Sequence, residues 1–364
     1  MTFPALQPGR GTVPGRHLLA TTPKTASWGW LPNAASEPVL AVPSGDTVTL
    51  DTLSHEGIMG DQGRAPVEFL GRYGVPADDV LTDAVEFAGS DLTNGDDDGP
   101  HVVTGPVAVL GARPGDVLRI DVLDLVPRTA YGFVSSRHGF GALPGELPEG
   151  TEPVFTFCRV ERAGDGAGDR LVSWVDGPGG RRARFPLAPF LGLVGVAPAT
   201  QEPVHSVPPG DFGGNIDLKW SVVGTSLYLP VEVDGALFYA GDPHYAQGNG
   251  EVALTALEAS LRATVRLTVL SGEAAASAVG TLRNPFLETA THWVPTGMDR
   301  DLDEAMRRCV RHALRFLTER FGLTRADAMA YLSAAADFEV TQVVDAVKGI
   351  HCLIRKADFA DWLR

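Results

Sequence analysis

The sequence predicts a mostly β protein with a smaller α part, of the β/β/α kind: stacked sandwich or barrel layers with helices near the C-terminus. Three observations carry this. Gly and Pro are both abundant, 42 and 27 of 364 residues, which favours many turns and short strands over long helices. Residues 1 to about 290 contain repeated short runs of β-branched or alternating residues. Beyond about 290 the apolar spacing switches to that of a helix. A single domain over 1–364 is expected, mainly β over 1–290, with a helical part and a closing strand over 291–364.

The elements follow from local chemistry. Ser44-Gly45-Asp46 and Pro114-Gly115-Asp116 are turns that lead into the alternating or β-branched runs Thr47-Val48-Thr49-Leu50 and 117–122. Further strands are expected over 154–160, 170–175, 226–233, 235–240 and 261–270. The Asp234-Gly235 step predicts a hairpin between two of them. Segment 88–100, with Asp96, Asp97 and Asp98 in a row, reads as an exposed loop, and it lacks the spacing of an EF-hand. Segments 161–169 and 177–182 also read as loops. Over 302–321, Leu302, Ala305, Met306, Cys309, Val310, Ala313, Leu314 and Leu317 mark one helical face. Asp299 or Asp301 caps its start and Gly322 ends it. Thr324-Arg325-Ala326-Asp327 opens a second helix over about 325–335. The apolar stripe suits packing on the chain's own sheet and equally suits association of copies.

Composition bounds the function. Hydrophobic residues make up 44% and charged residues 21%, as in an ordinary folded protein. A formal charge of −15 gives no electrostatic reason to hold nucleic acid or an anionic membrane. No apolar run reaches the roughly 18 residues a membrane helix needs. The first residues carry neither a basic stretch nor an apolar core, so no secretory signal is read there. Cys158, Cys309 and Cys352 are far apart and odd in number. They read as reduced core thiols, and a cytoplasmic location is expected.

The chemistry concentrates in Gly241-Asp242-Pro243-His244-Tyr245-Ala246-Gln247-Gly248-Asn249-Gly250-Glu251. A carboxylate and an imidazole two residues apart converge if the backbone is extended, and Pro243 biases Asp242 that way. Gly248 and Gly250 permit a tight return of Glu251 to the same point. The same residues also suit a polar surface turn. Gly213-Gly214-Asn215-Ile216-Asp217 suits either a close approach of backbone to ligand or an Asx turn. His55, after a strand, and His101, before one, are candidates for a cleft or for structural roles. No Gly-x-Ser-x-Gly elbow, Walker loop or dinucleotide fingerprint occurs. A water activated by a metal ion is therefore the better candidate nucleophile, since Asp, His and Glu suit zinc or a similar divalent ion.

Taken together, these segments resemble the acetamidase/formamidase family along nearly the whole chain. The matches run in order through Trp28-Gly29-Trp30, Ser44-Gly45-Asp46-Thr47-Val48 and His101…Thr104-Gly105-Pro106-Val107. They continue through Gly111-Ala112-Arg113-Pro114-Gly115-Asp116, Gly192-Leu193-Val194-Gly195-Val196-Ala197-Pro198, 213–217, 226–231 and 241–251. They end in Val340-Thr341-Gln342-Val343-Val344-Asp345 and Lys348-Gly349-Ile350-His351. The resemblance implies hydrolysis of a short-chain amide to carboxylate and ammonia, zinc as the metal with calcium as a further candidate, and a homo-oligomer. Carried onto this chain, it makes Asp242, His244 and Asp217 metal ligands, with His55 or His101 completing the shell. Glu251 is then the base, Gln247 an amide-binding or catalytic partner, and Asn215 with Gly214 the substrate contacts. One departure is Asn249, where the family carries Asp, and loss of that charge is expected to weaken support of the metal. Two other readings remain: a non-catalytic small-molecule binding protein on the same fold, and a hydrolase of a cyclic imide or carbamate.

Overall fold

The computed structural model describes residues 3–164 and 170–362. Turn glycines start the strands where expected. Gly45 and Gly115 take φ 93° and 94°, and Thr47–Asp51 and Val117–Pro127 follow them. The second of these strands pairs with Leu261–Leu270 on one side and Ser226–Pro230 on the other.

Two large sheets result among the described residues. One has nine strands. From one edge these are His17–Ala20, Thr47–Asp51, Leu261–Leu270, Val117–Pro127, Ser226–Pro230, Phe286–Glu288, His292–Asp299, Lys348–Arg355 and Asp337–Gln342. The other has eleven and is centred on Phe238–Ala246, which pairs with Val102–Leu110, Phe190–Gly195 and Leu257–Glu258. Leu50, Leu118, Val265 and Leu267 of the first sheet share one core with Val107, Val194, Phe238 and Ala240 of the second. The sheets thus form a sandwich, each sealing the apolar face of the other.

The α layer covers the far end of the nine-stranded sheet. Ala305, Cys309, Ala313 and Leu317 of the helix Leu302–Phe321 are buried with Trp293, Ile350, Cys352 and Ile354 of the sheet. The apolar stripe therefore packs on the chain's own sheet. Asp301 caps this helix, accepting a hydrogen bond from Glu304 N at 2.9 Å, and Gly322 ends it at φ 69°. Thr324 caps the next, Arg325–Ala335. All three cysteines are buried and free. No helix among the described residues is long and apolar enough to cross a membrane.

Four details differ from expectation. Asp234-Gly235 does not close a hairpin: Ser226–Pro230 and Phe238–Ala246 belong to different sheets, and the turn carries the chain across the core between them. A turn signal reports local backbone, whereas the partner strand is chosen by burial. Short helices Pro66–Gly71, Thr82–Ala88 and Gly272–Val279 interrupt the β part, each too short to show a period. The C-terminal part contributes three strands to the sheet, not one. Of the loop expected over 161–169, residues 161 and 162 lie in the strand Val154–Arg162, and 165–169 fall outside the described residues.

Candidate active site

The strand Phe238–Ala246 brings Asp242 and His244 together by a different route from the expected one. Asp242 is not extended: its φ is 48°, in the left-handed region. The following proline excludes the right-handed helical region, and a short polar side chain tolerates the left-handed one. His244 Nε2 ends 2.9 Å from Asp242 Oδ2. Opposite them, Gly192 leaves the room they occupy. A Cβ there would lie 2.5 Å from Asp217 Oδ1, 2.5 Å from His244 Cε1 and 2.8 Å from Asp242 Oδ2.

Loops deliver the other groups to the same point. His55 follows the strand Thr47–Asp51, and its Nδ1 is 3.5 Å from Asp242 Oδ1. His101 precedes Val102–Leu110, and its Nε2 is 3.8 Å from Asp242 Oδ2. Glu258 Oε1 lies 3.0 Å from His244 Nε2. Gly250, at φ 99°, turns the chain so that Glu251 joins them, as the spacing of the glycines suggested. Asp217 and Asp345 arrive from the loops after Gly213–Asn215 and Asp337–Gln342. Among the described residues, nine non-glycine residues have positive φ. Six of them, Asp217, Asp242, Glu251, Leu254, Asp345 and Ala346, line this one cavity. Such backbone costs about 1–3 kcal/mol per residue and persists where surrounding structure enforces it.

The electrostatics follow from burying many carboxylates together. Burial first, then Glu251 and Asp345, hold Asp217 well above the usual carboxylate range. Burial, then Asp345 and Glu258, do the same to Glu251. Burial and the charge of Asp242 push Glu258 up to about 7. Burial and the charge of Asp242 push Asp345 up to about 8. Asp242 goes the other way: burial opposes its charge, but the imidazoles of His244 and His101 hold it well below the usual range. Burial works against a charged His55, yet the carboxylates of Asp242 and Glu56 beside it push it up to about 10. Burial dominates at His101 and lowers it to about 4, against the charge of Asp242.

A supporting layer orients these groups. Gln247 Nε2 donates to the Asp217 carbonyl at 2.8 Å, which turns its Oε1 toward His244 Nδ1 at 3.1 Å. That oxygen can only accept, so Nδ1 carries the hydrogen and Nε2 faces Asp242 and Glu258. Gln247 is thus committed to holding His244 and does not line the cavity. Glu56 lies 3.4 Å from His55 Nε2 and is itself held by Ser135 and Gln62. Ser206 Oγ is 2.9 Å from His101 Nδ1.

Other expected site residues sit elsewhere. Gly214, at φ 81°, is buried in the short strand beside Val194 and packs against Phe212 and Leu31, away from the cavity lining. Asn249 is exposed and donates to Glu339, so its amide forms a surface contact and does not support the buried groups. Asp98 accepts hydrogen bonds from Trp30 Nε1 and Gly95 N, ordering its own loop at the lip of the cavity. Asn215 does reach the cavity. Its Nδ2 donates to the Val207 carbonyl, which leaves Oδ1 buried and without a partner. Glu258, Asp345 and Glu56 are the groups that residue-by-residue reading passed over. Asp345 and Glu56 stood next to residues already singled out, but Glu258 lies in an unremarkable Ala-Leu-Glu-Ala-Ser run with no local signal.

The cavity measures about 560 Å³. Its polar floor holds His55, Asp242 and Glu258, whose ligand atoms all lie within 4.8 Å of one another; Asp217 and Glu251, which also line it, form a second such group with His244, which does not. His55 Nδ1, Asp242 Oδ1, His244 Nε2, Glu251 Oε2, Glu258 Oε2 and both Asp217 oxygens are buried and make no hydrogen bond. Buried polar atoms in that state are costly, and a divalent cation satisfies nitrogen and carboxylate donors together. The donor set therefore fits a zinc-like ion.

A formamidase of Methylophilus methylotrophus is 27% identical over 225 residues, which cover 49% of this chain and 55% of that protein. An acetamidase of Mycolicibacterium smegmatis is 28% identical over 199 residues, 42% of this chain and 49% of that one. The chain thus matches about half the length of these curated relatives. The crystal structure of an acetamidase from Bacillus halodurans has the same fold, with a TM-score of 0.70 at 27% identity over 94% of this chain and 99% of that one. The sequence model of the Acetamidase/Formamidase family matches residues 78–203 and 199–355, and the chain belongs to that family.

Proposed function

We propose that the protein hydrolyses a carboxamide to carboxylate and ammonia with the help of a divalent ion, zinc by its donor chemistry. The observation that carries this is the set of buried, unpartnered carboxylate and imidazole atoms facing one cavity together with Asn215 Oδ1. His55, Asp242 and Glu258 would hold the ion. Once bound, it would polarise the amide carbonyl and make water a stronger nucleophile near neutral pH.

The chain's own groups do the rest. Asn215 Oδ1 can only accept, so it binds the N–H of a primary amide and has nothing to offer an ester oxygen. Glu251, with a free Oε2, takes the proton of the attacking water as the C–O bond forms. Its raised affinity for protons suits it to hold that proton and pass it to nitrogen as the C–N bond breaks. Burial and the neighbouring carboxylates of Asp345 and Glu258 keep that affinity high. His244, fixed by Gln247, keeps Asp242 ionised and oriented.

The test is ammonia release from formamide, acetamide and longer primary amides, before and after chelator treatment. Release that the chelator abolishes and zinc restores is expected. Glu251→Gln should lower kcat by at least about 100-fold, the usual scale of an acid–base group, with metal content by mass spectrometry unchanged. Loss of metal in that variant would make Glu251 a ligand. Metal-loaded protein that releases no ammonia from any amide sinks the proposal.

A further inference from the structure

The cavity is built for more than a one- or two-carbon acyl group. Its volume of about 560 Å³ falls in the range of roughly 300–1,000 Å³ that encloses drug-sized ligands. Formamide or acetamide would leave most of it to water. Above the carboxylate–imidazole floor its walls are Met59, Phe140, Pro144, Leu254, Val343 and Val344. Leu254 is held at φ 111°, a conformation a bulky residue rarely adopts, and functional sites are where such strain collects.

The apolar wall does not stop at the cavity. Phe140 and Gly141 also line an adjoining groove of about 870 Å³, whose other walls include Leu143, Leu147, Val154 and Val252. Phe140 is 59% exposed, Leu147 49% and Val252 64%. A contiguous apolar surface of that kind, open to water, marks a binding surface. Its continuity with the floor runs through Phe140. Charge narrows the occupant. Asp96, Asp97 and Asp98 stand at the lip. The nearby cation, Arg137, is already engaged by Asp61 at 2.8 Å and Ser135 Oγ at 2.9 Å. An anionic acyl group therefore meets the acidic lip, with the guanidinium of Arg137 already engaged.

We propose that the preferred substrate is a primary amide with a long or bulky uncharged apolar acyl group: the amide at Asn215 and Glu251, the tail running past Leu254 and Phe140 into the outer groove. This rests on the amidase reading of the floor.

Ammonia release is measured across acetamide, butyramide, hexanamide and phenylacetamide with the metal-loaded protein. Each methylene that the wall buries is expected to raise kcat/KM by about fourfold. Phe140→Ser should bring the hexanamide-to-acetamide ratio down toward one. Activity that is greatest on acetamide and falls with chain length overturns the tail site and leaves the amidase reading standing. If no amide is hydrolysed, calorimetric titration decides the tail site separately. Hexanamide binding that Phe140→Ser weakens at least tenfold upholds it, and no detectable binding overturns it. An unchanged acyl preference in Phe140→Ser, with an oligomer falling apart in sedimentation, would assign the groove to a second copy of the chain and overturn the proposal.

Discussion

At the scale of single residues, the site depends on an absent side chain as much as on those present. Gly192 is not required for a left-handed turn, since its φ lies in ordinary territory. It is required because its missing Cβ is the space into which Asp217, His244 and Asp242 project. In Gly192→Ala the new methyl would meet three groups at 2.5–2.8 Å, and the strand on which it sits is pinned on both sides. The carboxylates must move, and displacements of that size cost on the order of 100-fold in rate. The expected result is loss of stoichiometric metal, by mass spectrometry, and a comparable loss of kcat/KM, with an unchanged far-ultraviolet circular dichroism spectrum. Full activity in this variant would mean the three side chains are not held as described. The sequence points to residues that the fold does bring together: Asp217, Asp242, His244 and Glu251 stand out by their glycine- and proline-flanked setting. It does not show which amide is structural. Gln247 looks like a substrate contact until its two hydrogen bonds, to Asp217 and His244, are seen to use it up. Glu258 gave no signal because its role comes from a two-residue strand pairing, with His244 directly opposite.

At the scale of elements, period and capping were legible and partners were not. The helix Leu302–Phe321 was readable from its stripe, its Asp cap and its terminal glycine, all local properties. What the stripe covers is a tertiary fact: the surface of His292–Asp299 and Lys348–Arg355. They approach closely at Gly297, where a Cβ would lie 2.2 Å from Cys309 N and 2.4 Å from Ala305 O. Backbone cannot yield as a flexible side chain can. Gly297→Ala should therefore lift the helix from the sheet at a cost of about 1–3 kcal/mol, the usual scale of overpacking. The expected reading is a lower denaturant midpoint with an unchanged m-value. No residue of the helix lines the cavity, so kcat on the remaining folded protein should be unaltered. A midpoint equal to that of the parent would mean the helix and sheet are further apart than this packing requires.

At the scale of the whole molecule, the floor of the cavity is assembled from distant parts of the chain and holds an excess of negative charge. Asp345 comes from the C-terminal turn between two strands of the nine-stranded sheet, while Asp242 and Glu258 belong to the other sheet. The two are stitched together by Gly250 N donating to the Thr341 carbonyl at 3.0 Å and Val343 N to the Gly250 carbonyl at 3.0 Å. Folding therefore forces carboxylates together, and without a cation they are relieved by keeping protons. Glu258 moves from an ordinary value of 4.5 up to about 7, and Asp345 from 3.8 up to about 8. A carboxyl group raised on folding binds its proton more tightly in the folded state. Its stabilising contribution is complete below the unfolded value, about 4, and is lost as pH rises through 7 to 8. His101, His312 and His351, each lowered on folding to about 4, act in the opposite sense below their ordinary value of 6.5, so chelator-treated protein should melt at progressively lower temperature from about pH 6.5 to about pH 8. General repulsion from the net charge of −15 pulls in the same direction, so the slope must be compared with that of Asp345→Asn, which removes one of the two groups and should flatten it. Zinc should reverse the trend in the parent, because the ion takes the place of the protons and binds better as they leave. Scanning calorimetry at three pH values, with and without the ion, reads all of this. A chelated protein that becomes more stable across that interval, or an Asp345→Asn slope equal to the parent's, would show that the buried carboxylates are not the source of the pH dependence.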